Sequence, residues 1–542
     1  MIRLLFLFII NSALSYGATI AIIDTGFDLD HDYLKPNILK KETDEEAIDF
    51  HGWDFFDNSH LKKPVIEDKS SIQEILLYRN LRAKGHGQGL SLEEFEWFKK
   101  KNADKNFMEK VKLFKKHSHG TFVAGIALRE GDNINIFPIR GLNLPNPVVA
   151  VEDNTTPGHV PVRGKTAEEK FQEEIRQSMN RVSQKFSKIC KFISHKKIEI
   201  VNASYGITYK NIMTKFRERY KEMTGLEIEE TKLKLIVDNY FETLYKRGEK
   251  TMLKYPHILF VFSAGNSGLD NDTYHHYPSR IKVPNALAVA AMNGDYLATF
   301  SNFGKEHVDI GAPGVAILSI VPKIYSEDGS DLYSPSSGTS MAAPYVANLA
   351  AQIKNANSSL MPADIKKIIL ETGEIKDYLK LRLASGAIVS NHSAIRAALL
   401  SKDMLIDQAI TLGRSDLIPM EDKISIGIPP ARSPEDIQKK VMDSMPSPIS
   451  PQEIDDEAAP ETFTKLKSSS LKDQVKGPQD NLQLPVLIAP DVPEKSADPT
   501  HSNQNEVQSQ TLSEELPASS SQPQSKLPET QSPESVPSSP QS

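Results

Sequence analysis

The sequence predicts an α/β protein built on a parallel β-sheet with helices packed against it. Three apolar, β-branched runs each end in a polar residue and a glycine-containing turn, at 18–26, 198–206 and 258–268. Such runs are typical of buried parallel strands, and open α/β sheets place their sites at the carboxyl ends of those strands. Between the first two runs, 166–193 carries a capping box and apolar residues at steps of three and four. This pattern predicts one long amphipathic helix.

The composition is that of an ordinary globular protein, with 39% hydrophobic and 25% charged residues among 542. The net charge of -7 gives no electrostatic footprint for nucleic acid, so no nucleic-acid partner is predicted. Cys190 is the single cysteine, which excludes an intramolecular disulfide and a cysteine-rich metal site. It lies beside the apolar stripe of the long helix, and we interpret it as a small buried hydrophobe.

Residues 1–17 resemble a secretory signal peptide. A basic start is followed by the apolar run 4–10 and by small and polar residues that end at Ser15-Tyr16-Gly17. The run is too short to cross a bilayer comfortably, and no other segment suggests a span. The other interpretations are a buried N-terminal strand or an uncleaved anchor. We predict an exported protein, secreted or periplasmic, without a stable membrane span once the signal is removed.

The first predicted strand ends at Asp24 and leads into an acidic loop, 27–34. Clustered carboxylates are suitable ligands for calcium, a hard cation that prefers oxygen, but acids in loops are more often simply solvated. We therefore leave the metal site unknown and treat a structural calcium ion as an alternative. No cofactor is required for the chemistry inferred below. A charged, helix-prone insertion is predicted to follow at about 59–112.

Two further stretches supply polar side chains that belong together chemically. The segment 117–127 places His119 ahead of a helix of small residues, and 336–347 delivers Ser340 to the start of another. In the second segment Pro344 is expected in the first helical turn, where its missing N–H costs little. A helix N-terminus favours developing negative charge, and a hydroxyl needs a base to accept its proton. A pair of metal ligands, His117 and His119, is a weak alternative.

Three motifs resemble the signatures of the subtilisin-like serine peptidases, over roughly 18–400. They are Asp24-Thr25-Gly26, His119-Gly120-Thr121 and Gly338-Thr339-Ser340-Met341-Ala342-Ala343-Pro344, in the chain order known for that family. The resemblance implies a doubly wound, mostly parallel sheet and a serine endopeptidase that acts through an acyl-enzyme intermediate. It implies that Asp24 orients His119, that His119 acts as general base and then acid, and that Ser340 attacks the peptide carbonyl.

The resemblance also assigns groups around the reacting carbonyl. Asn266 would supply the oxyanion-hole side chain, together with the backbone N–H of Ser340. The family binds protein or peptide substrates in an extended conformation, through backbone pairing with an edge segment. The residues expected to bind substrate here are Ser204, Tyr205, Gly206, Ala264 and Gly265.

Helical insertions are expected at about 165–197 and 208–254, the peptidase domain should close by about 400, and 401–442 forms a linker. Residues 443–542 are dense in Pro, Ser, Gln and Glu and are predicted to be disordered, with no identified partner.

One departure from the family keeps other functions open. Little chain separates the predicted signal from the Asp24 strand, so no room is expected for the N-terminal pro-domain that secreted members usually carry. One alternative is a catalytically silent member that acts as a binding or scaffold protein. Another is that the predicted tail tethers the protein to a partner or surface, where proteolysis is local.

Overall fold

The computed structural model describes residues 17–39, 52–55, 59–60, 71–87, 89–141, 166–326 and 332–415. Outside the described ranges lie the predicted signal peptide apart from Gly17, most of the predicted linker and the predicted disordered tail. So does part of the first predicted insertion, at 61–70.

The described ranges contain fifteen strands and ten α-helices. The strands are β1 Thr19–Asp24, β2 Trp53–Asp54, β3 Ser59–His60, β4 Asn135–Arg140, β5 Ile200–Ala203, β6 Ile207–Thr208, β7 Leu259–Ser263, β8 His276–Tyr277, β9 Ala286–Asn293, β10 Tyr296–Leu297, β11 Ile310–Pro313, β12 Ile317–Val321, β13 Leu332–Ser336, β14 Glu374–Ile375 and β15 Ala387–Ile388. The helices are α1 Ile72–Gly87, α2 Leu92–Ala103, α3 Lys105–Ala127, α4 Ala167–His195, α5 Tyr209–Thr224, α6 Glu230–Met252, α7 Thr339–Ala356, α8 Pro362–Glu371, α9 Asn391–Leu400 and α10 Ile406–Gly413.

The main sheet runs in the order β14-β15-β11-β9-β7-β5-β1-β4-β2-β3, with β10 pairing to β9. The pairs from β15 to β2 are parallel, and antiparallel pairs occur at the two edges and at β10. The predicted mostly parallel α/β fold is confirmed. Strand β1 lies between β4 and β5, where the order of strands reverses direction. Ligands of doubly wound sheets bind at such a switch point, beside the carboxyl ends of the strands.

Helices cover both faces of the sheet, which explains why β1 is continuously apolar from Ile20 to Ile23. Ile20 and Ile22 join the core formed with α3 and α7. Ala21 and Ile23 join the opposite core, which α4, α5 and α6 cover. Because successive side chains of a strand point to opposite faces, burial on both sides requires a continuous apolar run.

The first insertion forms a small helical unit that is continuous with the main domain. Helices α1 and α2 and the start of α3 share a core that includes Ile75, Phe107 and Phe114. Helix α3 begins after the Asp104 cap and continues through His119 to Ala127. The expectation that His119 precedes its helix is therefore wrong. No glycine or proline lies between Asp104 and His119, so nothing in the sequence stops the helix before the motif.

The helices on the opposite face follow the sequence closely. Thr166 and Glu169 form the predicted capping box at the start of α4. Cys190 is buried on that helix as expected, and burial raises the pKa of its thiol. The helical region predicted at 208–254 is two helices, since Gly225 adopts a positive φ of 72° and ends α5.

The packed domain extends beyond the boundary expected at about 400. Ala409 and Ile410 on α10 are buried, and Ile410 belongs to the core beneath α7. Helix α10 is short, and its amphipathic pattern lies next to a polar segment, so the boundary is not evident from the sequence. Among the helices in the described ranges, none combines the length and apolar character needed to cross a membrane.

Candidate active site

Asp24 and His119 are in direct contact at the carboxyl end of β1. The Asp24 carboxylate is fully buried, and both of its oxygens lie 2.8 Å from Nδ1 of His119. Oδ1 also accepts a hydrogen bond of 2.7 Å from the backbone N–H of Thr25. A carboxylate at Nδ1 favours the tautomer with its proton there, which leaves Nε2 as a proton acceptor. The imidazole side chain is 27% exposed and therefore reachable from solvent.

Gly120 allows this contact, because α3 lies almost against the turn that follows Asp24. A Cβ atom at position 120 would be 2.2 Å from the carbonyl oxygen of Gly26. The hydroxyl of Thr121 accepts a hydrogen bond of 2.9 Å from the backbone N–H of Asp28 and fixes the same turn. The His-Gly-Thr sequence therefore combines a ring donor, a close backbone approach and an anchor for the loop.

Ser340 is the second residue of α7, at the helix N-terminus as predicted. Its hydroxyl donates a hydrogen bond of 3.3 Å to the backbone carbonyl of Ser204. The hydroxyl has to leave that carbonyl to donate to Nε2 of His119. His119 and Ser340 line the same cavity, of about 200 Å³, and Asn266 lines it with them.

Pro344 is the sixth residue of α7, so its expected position in the first turn is wrong. A residue there would normally donate its N–H to the carbonyl of Ser340, and proline has no such donor. The hydroxyl of Ser204 donates to that carbonyl instead, at 3.0 Å. Asn202 in turn donates to the Ser204 hydroxyl, also at 3.0 Å. Ser204 and Ser340 thus hold each other through two hydrogen bonds, a pairing that the sequence did not reveal.

Asn266 is oriented by the residue before Ser340. Its Oδ1 accepts hydrogen bonds from the backbone N–H of Thr339 at 2.8 Å and from the Thr339 hydroxyl at 3.0 Å. Two donors at one atom identify it as the amide oxygen, so Nδ2 is the group left to donate. The side chain therefore offers an N–H at the cavity that also contains Ser340.

The predicted substrate-binding residues lie at the same edge of the sheet. The segment 204–206 follows β5, and 264–266 follows the neighbouring strand β7. Gly265 has a φ of +112°, and its N–H donates to the Thr339 hydroxyl at 3.1 Å. The imidazole of His276 lies directly against this backbone, 2.2 Å from where a Cβ of Gly206 would be. No sequence motif points to His276, which comes from the distant strand β8.

The acidic loop after β1 is held by hydrogen bonds and an ion pair. Asp28 Oδ2 accepts a bond of 2.7 Å from the backbone N–H of Lys323, and Asp32 lies 2.5 Å from the ammonium of the same lysine. That lysine lowers the pKa of Asp32. In the part of the chain that the structure describes, no three His, Cys, Asp or Glu residues are placed to hold a metal. A structural calcium ion stays an untested prediction.

The first insertion contributes a wall of the cavity, which the sequence did not indicate. Arg79, Arg82 and His86 of α1 line it, together with Lys115 of α3. Arg79 and Arg82 are three residues apart and therefore share one face of α1. The sequence shows that spacing, but it does not show that this face of α1 lines the cavity, because the position of the face depends on how the insertion packs.

A family model described as the subtilase family matches residues 15–392, and the chain therefore belongs to that family. Among similar proteins, subtilisin-like protease 2 of Plasmodium falciparum is 26% identical over 209 residues, which are 38% of this chain and 13% of that protein. Serine protease AprX of Bacillus subtilis is 35% identical over 155 residues, 25% of this chain and 35% of AprX. The matched regions are thus minor parts of both relatives.

A solved structure of a cold adapted subtilisin-like serine proteinase is 20% identical to the chain. The alignment covers 68% of this chain and 88% of that protein, with a TM-score of 0.32.

Proposed function

We propose that this subtilase is a serine endopeptidase that hydrolyses peptide bonds through Asp24, His119 and Ser340. Nε2 of His119 accepts the proton of the Ser340 hydroxyl as the oxygen attacks the peptide carbonyl. The imidazolium then donates that proton to the leaving amine, and water hydrolyses the acyl-enzyme by the same steps. Asp24 keeps the ring in the required tautomer and stabilises its positive charge.

The contact between Asp24 and His119 carries the proposal. Both carboxylate oxygens are 2.8 Å from Nδ1, and the carboxylate is fully buried. Burial of a charged group is costly unless it is paired or hydrogen-bonded, so a carboxylate aimed at an accessible imidazole suits general-base chemistry. Ser340 opens on the same cavity and starts a helix, where developing negative charge is favoured.

Asn266 and the N–H of Ser340 are proposed to stabilise the oxyanion. The bonds from Thr339 to Oδ1 fix the amide before substrate binds, so no reorientation is needed when charge develops on the carbonyl oxygen. Removal of one such donor typically costs about 10²–10³-fold in kcat. The segment 204–206, with Ala264 and Gly265, is proposed to pair with an extended peptide.

The first test compares wild type with Ser340→Ala, using an active-site serine probe and casein as substrate. We expect only the wild type to be labelled, and the variant to lose about 10⁶-fold in kcat. Ser358→Ala is the matched control, because Ser358 is an exposed serine outside the cavity. Circular dichroism checks that all three proteins are folded. Labelling that persists in Ser340→Ala, or folded wild-type protein that neither labels nor cleaves, would contradict the proposal.

We further propose that the protein is exported through the signal-like segment 1–17. Full-length chain and a chain lacking 2–17, expressed in a bacterial host, should differ in location. The full chain is expected in the periplasm or medium and the truncated chain in the cytoplasm. Equal retention of both in the cytoplasm would contradict export.

A further inference from the structure

The cavity beside Ser340 has a strongly cationic wall. Arg79, Arg82 and Lys115 all line it, His86 and His119 add two imidazoles, and none of the described lining residues is Asp or Glu. Arg79 is 8% exposed, and its guanidinium lies over the rings of Phe114 and Phe122 at 5.2 and 5.4 Å. Its Nε donates to the Ser334 hydroxyl at 3.2 Å. These partners hold Arg79 in place without neutralising its charge.

The positive charges are not compensated within the described part of the chain. Other lysines of the insertion have acidic partners, such as Lys84 with Glu94 and Lys112 with Glu109. Arg82 and Lys115 have no such partner among the described residues, and Arg82 is exposed to solvent. Burial and the charge of Arg82 lower the pKa of Arg79 to about 10. Burial, Arg82 and then Arg79 lower the pKa of Lys115 to about 8.

Cations that lower one another's pKa gain by binding an anion, since an opposite charge within a few ångströms favours their charged forms. The site also contains a spare hydroxyl. Ser118 lines the cavity, is buried, and has no hydrogen-bond partner for its Oγ in the described ranges. A buried polar atom without a partner is costly, and a ligand or water can satisfy it. Charge and hydrogen bonding therefore both favour an anionic occupant.

We infer that this cavity is a specificity subsite for an acidic side chain of the substrate peptide, recognised by Arg82 and Lys115 with Arg79 behind them. The inference rests on the proposed peptidase function, whose cleft supplies the position of the peptide. Ser340 lines the cavity, so the recognised carboxylate belongs to a residue beside the scissile bond. The predicted ligands are therefore peptides with Asp or Glu beside the scissile bond.

The cavity lies on the leaving-group side of Ser340. His119 donates its proton to the leaving amine, and the part of the substrate after the scissile bond therefore lies on the side of the imidazole. His119 and Met341 line the cavity, whereas none of the residues of 204–206 does. The acidic side chain is therefore assigned to the first residue after the scissile bond rather than to the residue before it.

The test measures binding and hydrolysis with peptides that carry Glu or the isosteric Gln at one position. One pair differs at the first residue after the scissile bond, and a second pair differs at the last residue before it. Binding is measured by fluorescence anisotropy on full-length Ser340→Ala protein, and kcat/KM is measured on wild type. Arg82→Gln and Lys115→Gln are the test variants. Lys112→Gln is the matched control, since it removes the same charge from α3 outside the cavity.

We expect the leaving-side Glu peptide to be favoured by about 10-fold or more in Kd and kcat/KM, the size of one charge-assisted hydrogen bond. Arg82→Gln and Lys115→Gln should each reduce this ratio toward one, Lys112→Gln should preserve it, and added salt should weaken it. Equal affinity for Glu and Gln, no binding of either, or a preference confined to the residue before the scissile bond would overturn the inference. So would a preference that survives both cavity variants.

The same measurements distinguish failure of the peptidase proposal from failure of the subsite inference. If wild type hydrolyses none of the peptides while Ser340→Ala still binds the Glu peptide better in an Arg82-dependent manner, the catalytic proposal fails and the anionic subsite stands.

Discussion

Acid should destabilise this protein through His276, a buried histidine beneath the predicted substrate-binding backbone. The residue is 3% exposed, and its Nδ1 lies 2.7 Å from the Ser279 hydroxyl. Burial lowers the pKa of His276 to about 4, from an ordinary value of 6.5. The ring is therefore neutral in the folded protein and protonated in the unfolded chain between pH 4 and 6.5. Because the unfolded chain binds more protons in that window, the free energy of unfolding falls as pH is lowered through it.

The size of the effect follows from the two pKa values. Since one pKa unit corresponds to about 1.4 kcal/mol, the full difference is about 3 kcal/mol below pH 4, and about 2 kcal/mol is already lost at pH 5. The assay is urea unfolding at pH 7 and pH 5, followed by circular dichroism, for wild type and His276→Asn. The amide can still bond with Ser279 but does not titrate. We expect wild type to lose about 2 kcal/mol more than the variant between the two pH values. Equal losses of unfolding free energy in the wild type and in His276→Asn would refute the assignment of the effect to this ring.

Two further substitutions test the contacts that build the site. Gly120→Ala puts a Cβ 2.2 Å from the Gly26 carbonyl oxygen, so it should lower the free energy of unfolding by about 1–3 kcal/mol and reduce kcat. Gly85→Ala is the control, because the nearest neighbour of its Cβ would be 3.6 Å away. This control should leave the melting temperature unchanged or raise it. Unchanged melting and kcat in Gly120→Ala would contradict the close packing. Ser204→Ala removes the hydroxyl that donates to the Ser340 carbonyl and should lower the free energy of unfolding by about 1 kcal/mol. The loss should be smaller in a Pro344→Ala background, because the backbone N–H of residue 344 can then donate to the Ser340 carbonyl. Equal losses in both backgrounds would show that this N–H does not replace the Ser204 hydroxyl.

Several features of the fold could be predicted because their causes are local. The run from Ile20 to Ile23 had to be buried on both faces, and the capping box at Thr166 had to start a helix. The expectation that His119 precedes its helix is wrong, because the end of the insertion is itself helical and no glycine or proline stops that helix between Asp104 and His119. Pro344 was also placed wrongly. A proline in the second turn is acceptable here because the hydroxyl of Ser204, in the segment after β5, satisfies the carbonyl it leaves free.

The sequence by itself determined the family, the class of fold and the identity of the candidate catalytic residues, because each motif requires particular residue types over a few consecutive positions. Only the tertiary structure decided what surrounds those residues. The amide of Asn266 is oriented by Thr339, 73 residues away along the chain, and Ser204 is joined to Ser340 across 136 residues. The cationic wall arises where α1 packs beside Ser340. Such contacts join segments whose separation in the sequence contains no information about distance in space, so long-range packing alone sets them.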